Sequence, residues 1–145
     1  MPTIRNSVTI QATPDEVWAV LSDMPATRQW LPGVVAARLD GDLRVCTMAD
    51  GQQVHERISE VSDKERRFRF DHVRVPLPVR ESGGTFTTVP AAAGGATVVV
   101  ETTFEPLDPG SGDQLTSGVR DAFQASLESL RIFVEQGVAW DARSR

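Results

Sequence analysis

The strongest constraint on this chain lies near its C-terminus, where apolar residues recur at Leu115, Val119, Ala122, Phe123, Leu127, Leu130, Phe133 and Val134. That is helical periodicity sustained from Asp113 to Gly137, with Arg120, Asp121, Gln124, Glu128, Arg131 and Glu135 on the opposite side. At 1.5 Å per residue such a helix runs ~37 Å, long enough to cross a whole domain. Its apolar stripe needs a broad partner surface, and the preceding sequence offers one of β character.

Residues Thr3 to Ile10 alternate, with Ile4, Val8 and Ile10 on one parity and Arg5, Ser7 and Thr9 on the other, which predicts a strand with one buried face. Thr13-Pro14-Asp15-Glu16 then supplies a hydroxyl cap, a proline at the first helical position and a glutamate that reaches back to the cap's amide. The helix so begun, carrying Val17, Trp18, Val20 and Leu21, should stop near Asp23-Met24-Pro25, and a second short helical turn covers Ala26 to Trp30. From Val34 the texture becomes β-like: Val34 to Leu39, Leu43 to Met48, Val54 to Val61 and Arg67 to Val75 are divided by Gly41-Asp42, Asp50-Gly51 and Asp63-Lys64-Glu65. Pro76-Leu77-Pro78 forces a loop or edge before strands resume at Val79 to Val89 and Thr97 to Phe104.

That order predicts an α+β layer, an antiparallel sheet of about seven strands with its helices segregated to one face. One helix is narrower than a curved sheet of that width, so the space beneath it is either filled by large side chains or hollow. Tyrosine is absent and aromatic residues are only 6% of the chain, so a cavity between helix and sheet is the leading site.

At 145 residues the chain is expected to be one globular domain, residues 1–145. A net charge of -5, with basic residues dispersed, argues against nucleic acid as a partner. Cys46 is the only cysteine, and His55 and His72 lack zinc-ligand spacing, so no metal is expected. Without a phosphate loop or nucleotide fingerprint, no cofactor is expected either. No apolar run is long enough to span a membrane and the first residues do not resemble a secretory signal, so a cytoplasmic protein is expected.

The order of elements and its landmarks resemble the START-like or SRPBCC superfamily, which includes polyketide cyclase/dehydrase-like proteins. The residues that carry the resemblance are Thr13-Pro14-Asp15-Glu16-Val17-Trp18, Trp30-Leu31-Pro32-Gly33-Val34, Arg44-Val45-Cys46 through Asp50-Gly51, Glu56-Arg57-Ile58, Pro76-Leu77-Pro78-Val79 and Phe104-Glu105-Pro106. The resemblance covers about residues 3 to 138 and implies the helix-grip fold: a curved seven-stranded antiparallel sheet wrapped around a long C-terminal helix, with two short helices after the first strand. It also implies that Glu56 is a pocket residue. In two places the chain departs from the family's habit. Where relatives often carry a tyrosine it reads Arg80-Glu81-Ser82-Gly83-Gly84, and where they often carry a tryptophan it has Val100; both changes suggest a roomier interior.

Strand alternation names the pocket candidates. With Phe68 and Phe70 inward, His72 shares their face; with Val54 and Ile58 inward, so does Glu56. Cys46 and Met48 should face the pocket, with Arg44 nearer the rim. A two-residue turn at Asp50-Gly51 would set Cys46 opposite His55, and a three-residue loop would set it opposite Glu56, the pairing the resemblance favours. Phe86, Val98, Val100, Thr102 and Phe104 would extend the wall, and Leu115, Val119, Phe123, Leu127 and Leu130 would face it from the helix. Glu56 is either a carboxylate with a raised pKa, able to take a proton or orient a ligand hydroxyl, or a structural ion pair with Arg44 or Arg57. His72 is either an acid or base or a histidine satisfied at a strand end. Cys46 reads as a small buried hydrophobe, and Trp18 and Trp30 as anchors of the short helices.

Three functions fit these residues. The first is a carrier or sensor that binds a hydrophobic small molecule, such as a lipid, polyketide or aromatic metabolite. The second is a cofactor-independent cyclase or dehydratase with Glu56 or His72 as acid or base, although such a site needs a base, an acid and an oxyanion stabiliser and the sequence offers possible bases but no convincing constellation. The third is an interaction module with a packed groove, which keeps a homodimer among the partners to consider.

Overall fold

The computed structural model describes residues 3–140. Seven strands, β1 (Thr3–Ile10), β2 (Val34–Asp40), β3 (Leu43–Met48), β4 (Gln53–Ser62), β5 (Arg67–Arg74), β6 (Val79–Pro90) and β7 (Ala96–Pro106), form one antiparallel sheet in the order β1-β7-β6-β5-β4-β3-β2. Between β1 and β2 lie helix α1 (Pro14–Ser22) and a 3₁₀ turn (Met24–Gln29), and the chain closes with helix α2 (Gly112–Gln136). This is the helix-grip arrangement, with its helices on one face of the sheet.

Local chemistry accounts for the boundaries. Thr13 accepts from the Glu16 amide while the Glu16 carboxylate accepts from the Thr13 amide, both at 3.2 Å, and Pro14 follows the cap. At the other end of the chain α2 stops at Gly137, whose φ of 71° lies in the left-handed region that favours glycine. Asn6 shares the inward parity of Ile4 and Val8 and links the first strand to the last helix: its Nδ2 donates to the Arg120 carbonyl and to Gln124 Oε1, each at 3.1 Å.

The two halves of the interior differ. Under α1 and the C-terminal half of α2, Val8, Ile10, Val17, Leu21, Phe68, Val98, Val100, Leu127 and Leu130 form a close-packed cluster. Trp18 seals its margin, with its indole 6.4 Å from Phe68 and Nε1 donating to Asp63 Oδ1 at 2.9 Å. Over the N-terminal half of α2 packing is looser; Leu115, Val119 and Phe123 are only half-buried, whereas Ser126, Leu127, Ser129 and Leu130 are buried. The site lies on the loosely packed side.

Candidate functional site

Four strands place four polar side chains in one line. Arg44 on β3 pairs with Glu56 on β4, and Glu56 pairs with His72 on β5. Between β5 and β6 the ladder ends at Asp71 and Gly83, and one position beyond it the His72 and Ser82 side chains meet. Arg44 Nε donates to Glu56 Oε1 at 2.9 Å, His72 Nε2 lies 3.5 Å from Glu56 Oε2, and His72 Nδ1 is 2.6 Å from Ser82 Oγ. Arg44, Glu56 and His72 of this row line an apolar cavity of about 190 Å³. Phe70, Phe86 and Phe123 form its aromatic side, with Phe70 and Phe123 stacked at 6.0 Å and Trp30 edge-on to Phe86 at 5.8 Å.

Burial and charge set the protonation of this row. Removal from water pushes the Glu56 carboxyl up, but the Arg44 charge and the hydrogen bonds from His72 and Arg44 outweigh that and hold its pKa down to about 2. Of the two readings open for Glu56, the geometry matches the ion pair with Arg44, and the carboxylate with a raised pKa does not hold. Cys46 sits 4.0 Å from Glu56 Oε1, and burial pushes its thiol up to about 11 against the pull of Arg44.

Two positional expectations also need correction. Arg44 is not at the rim: it is 2% exposed, with Nη1 reaching Thr27 Oγ1 at 3.3 Å and Met24 Sδ at 3.4 Å, and its guanidinium carbon lies 5.6 Å from the Phe68 ring centre. Cys46 pairs with Val54 and not with His55 or Glu56. The loop at this hairpin is 49–51, closed by the Met48 amide donating to the Gln52 carbonyl at 2.8 Å, with Gly51 at φ +88° and Asp50 accepting from the Gln52 amide. Starting the loop one residue before Asp50 shifts the pairing and brings Arg44 to Glu56.

Of the other candidates, Met48, Val54, Phe70, Phe86 and Phe123 line the cavity together with Arg44, Cys46, Glu56 and His72. Phe68, Val98, Val100 and Leu127 do not. They lie deeper in the buried cluster that Trp30, Phe70 and Phe86 also join, away from the cavity, and Ile58 packs partly buried against that cluster. Leu115 and Val119 line a separate groove of about 410 Å³ with Leu77 and Pro78. The groove and the cavity share Leu77, Ala122 and Phe123.

Sequence reasoning missed several lining residues. Trp30 was expected only as an anchor, yet it lines the cavity beside Leu31, Pro32 and Val34 from the connection into β2, and Val75 and Leu77 from the turn before β6. Ala122 and Ser126 complete the helix side. Ser82, which the sequence marks only as leaving room, is the partner of His72. The Pro76-Leu77-Pro78 interruption was the one available signal that this turn borders the cavity.

The chain belongs to the family described as polyketide cyclase / dehydrase and lipid transport, whose model matches residues 1–135. Among solved structures, the protein XoxI from Bacillus cereus is 22% identical over 94% of this chain and 97% of its own, with a TM-score of 0.87. A START superfamily protein from Mycobacterium smegmatis is 15% identical over 94% of this chain and 99% of its own, at 0.80. The di-domain ARO/CYC BexL from the BE-7585A biosynthetic pathway is 21% identical over 93% of this chain and 47% of its own, at 0.84. At these identities the likeness is one of fold. No curated protein matches the chain. Among the described residues no helix is long and apolar enough to cross a membrane.

Proposed function

We propose that this protein binds a hydrophobic small molecule, as a carrier or sensor, in the cavity between the sheet and α2. The observation that carries this reading is an apolar-walled space of about 190 Å³ with one polar row along its side. Apolar walls desolvate a ligand, and a few fixed polar groups orient it. Drug-sized ligands occupy pockets of roughly 300–1,000 Å³, whereas a sealed cavity of about 150 Å³ accepts benzene. On that scale the cavity suits a compact ring or short branched chain, and a longer ligand would extend past Leu77 into the groove of about 410 Å³. A lipid carried whole is less well matched than a small aromatic or polyketide fragment.

A cyclase or dehydratase remains the second reading, favoured by the His72 imidazole held between Glu56 and Ser82 at the cavity wall. Glu56 itself suits it poorly, because a carboxyl with a pKa near 2 is a weak base at neutral pH. Native mass spectrometry with a panel of small apolar ligands, followed by product analysis of those that bind, tests both. Retention of one ligand per chain without turnover supports the carrier or sensor; binding with turnover supports the enzyme; no retained ligand favours the interaction module.

A further inference from the structure

We infer that the cavity selects ligands whose polar head donates a hydrogen bond, a neutral hydroxyl above all, and discriminates against apolar carboxylates. This deepens the small-molecule reading and rests on it.

Arg44 has its Nε bonded to Glu56 and its Nη1 held by Thr27 and Met24, and its guanidinium packs against Phe68 while almost wholly buried, so that either two-pronged side of the group has one prong already in use. No guanidinium fork is thereby offered to a ligand anion. His72 is engaged at Nδ1 by Ser82, while its Nε2 only approaches Glu56 Oε2, at 3.5 Å. Ser126 gives its hydroxyl proton to the Ala122 carbonyl at 2.9 Å. The Cys46 thiol is a weak donor that lies toward Glu56.

Capacity is left on Glu56. An ionised carboxylate offers about four lone-pair positions. Oε1 uses one on Arg44 and lies near Cys46, while Oε2 has only His72 at 3.5 Å, too long for a strong bond. The wall therefore presents an under-used acceptor with a negative charge in a region of low polarity. A ligand hydroxyl supplies the missing donor. A ligand carboxylate would bring a second negative charge beside the first, with the nearby cation already neutralised. The indole N–H of Trp30, which also lines the cavity, is buried and has no acceptor among the described residues, so a ligand oxygen within its reach, a hydroxyl's included, would satisfy it as well.

The test compares three ligands with one apolar body: ethylbenzene, 4-ethylphenol and 4-ethylbenzoate, titrated into the intact protein at pH 7.5 by ligand-observed NMR. The inference expects 4-ethylphenol to bind at least tenfold more tightly than 4-ethylbenzoate and severalfold more tightly than ethylbenzene. Equal or tighter binding of the benzoate overturns it, as does a phenol no tighter than the hydrocarbon; in both cases a bound hydrocarbon leaves the cavity reading standing. Failure of all three to bind overturns the cavity reading and this inference with it. Glu56→Gln, which keeps an acceptor but removes the charge, should narrow the gap between phenol and benzoate at least threefold. If that variant does not fold, the comparison in the unaltered protein decides alone.

Discussion

Arg44 and Glu56 face each other across β3 and β4, with Nε donating to Oε1 at 2.9 Å and with both side chains under a tenth exposed. Desolvating two charges is costly, and mutual attraction offsets that cost only while both are present. Arg44→Met therefore leaves an unpaired buried carboxylate and should lose about 3–5 kcal/mol of stability in urea unfolding. The double variant Arg44→Met, Glu56→Met should lose clearly less than the sum of the two single losses. Additive losses would mean that the pair is not coupled.

Acid should expose the same pair. The Glu56 carboxyl has a folded pKa of about 2 against 4.5 for an ordinary glutamate. Because the folded value is the lower, its contribution is fully present above pH ~4.5, where the unfolded chain would also be ionised, and fades as pH falls through about 2. The gap corresponds to about 3 kcal/mol. Stability measured by urea unfolding at intervals from pH 6 to pH 2 should fall over this range, and Glu56→Gln should flatten the fall. An unchanged slope in the variant would assign the acid sensitivity to other carboxylates.

Cys46 should be inert while the protein is folded. The thiolate is the reactive form, and burial raises the thiol to about 11. Disulfide-exchange labelling at pH 8 should leave the native protein unmodified and label it fully once it is unfolded in urea. Prompt labelling of the native state would show either that the thiol is accessible or that its ionisation is less suppressed.

Much of this architecture is written locally. The Thr13 capping box, the alternation of β1 and the apolar stripe of α2 are each set by residues a few positions apart, which is why the element order and the helix-grip fold follow from the sequence. Strand parity likewise put Cys46, Glu56, Phe70 and His72 on one face. Register was less legible, since it turned on whether the β3–β4 loop begins at Ala49 or Asp50, and that choice decides whether Arg44 or Cys46 meets Glu56. Ser82 was out of reach altogether, because the β5–β6 ladder stops at Asp71 and Gly83, short of the turn at 75–78, so counting from that turn does not set which side chains meet. Nor could alternation tell a cavity wall from a packed core. Phe68 and Phe70 have the same parity and share one buried cluster, yet only Phe70 borders the cavity.

Small-molecule binding requires unfilled space beneath the middle of α2, at Ala122, Phe123 and Ser126, and filling that space tests it most directly. Val54 lines the cavity from β4, and Val54→Phe should occupy it at a stability cost of no more than about 1–3 kcal/mol. Titration of 4-ethylphenol should give saturable one-to-one binding to the unaltered protein and at least a tenfold loss of affinity in the variant, with a cooperative unfolding transition retained. Equal binding by the two proteins, or no saturable binding to the unaltered one, would contradict it.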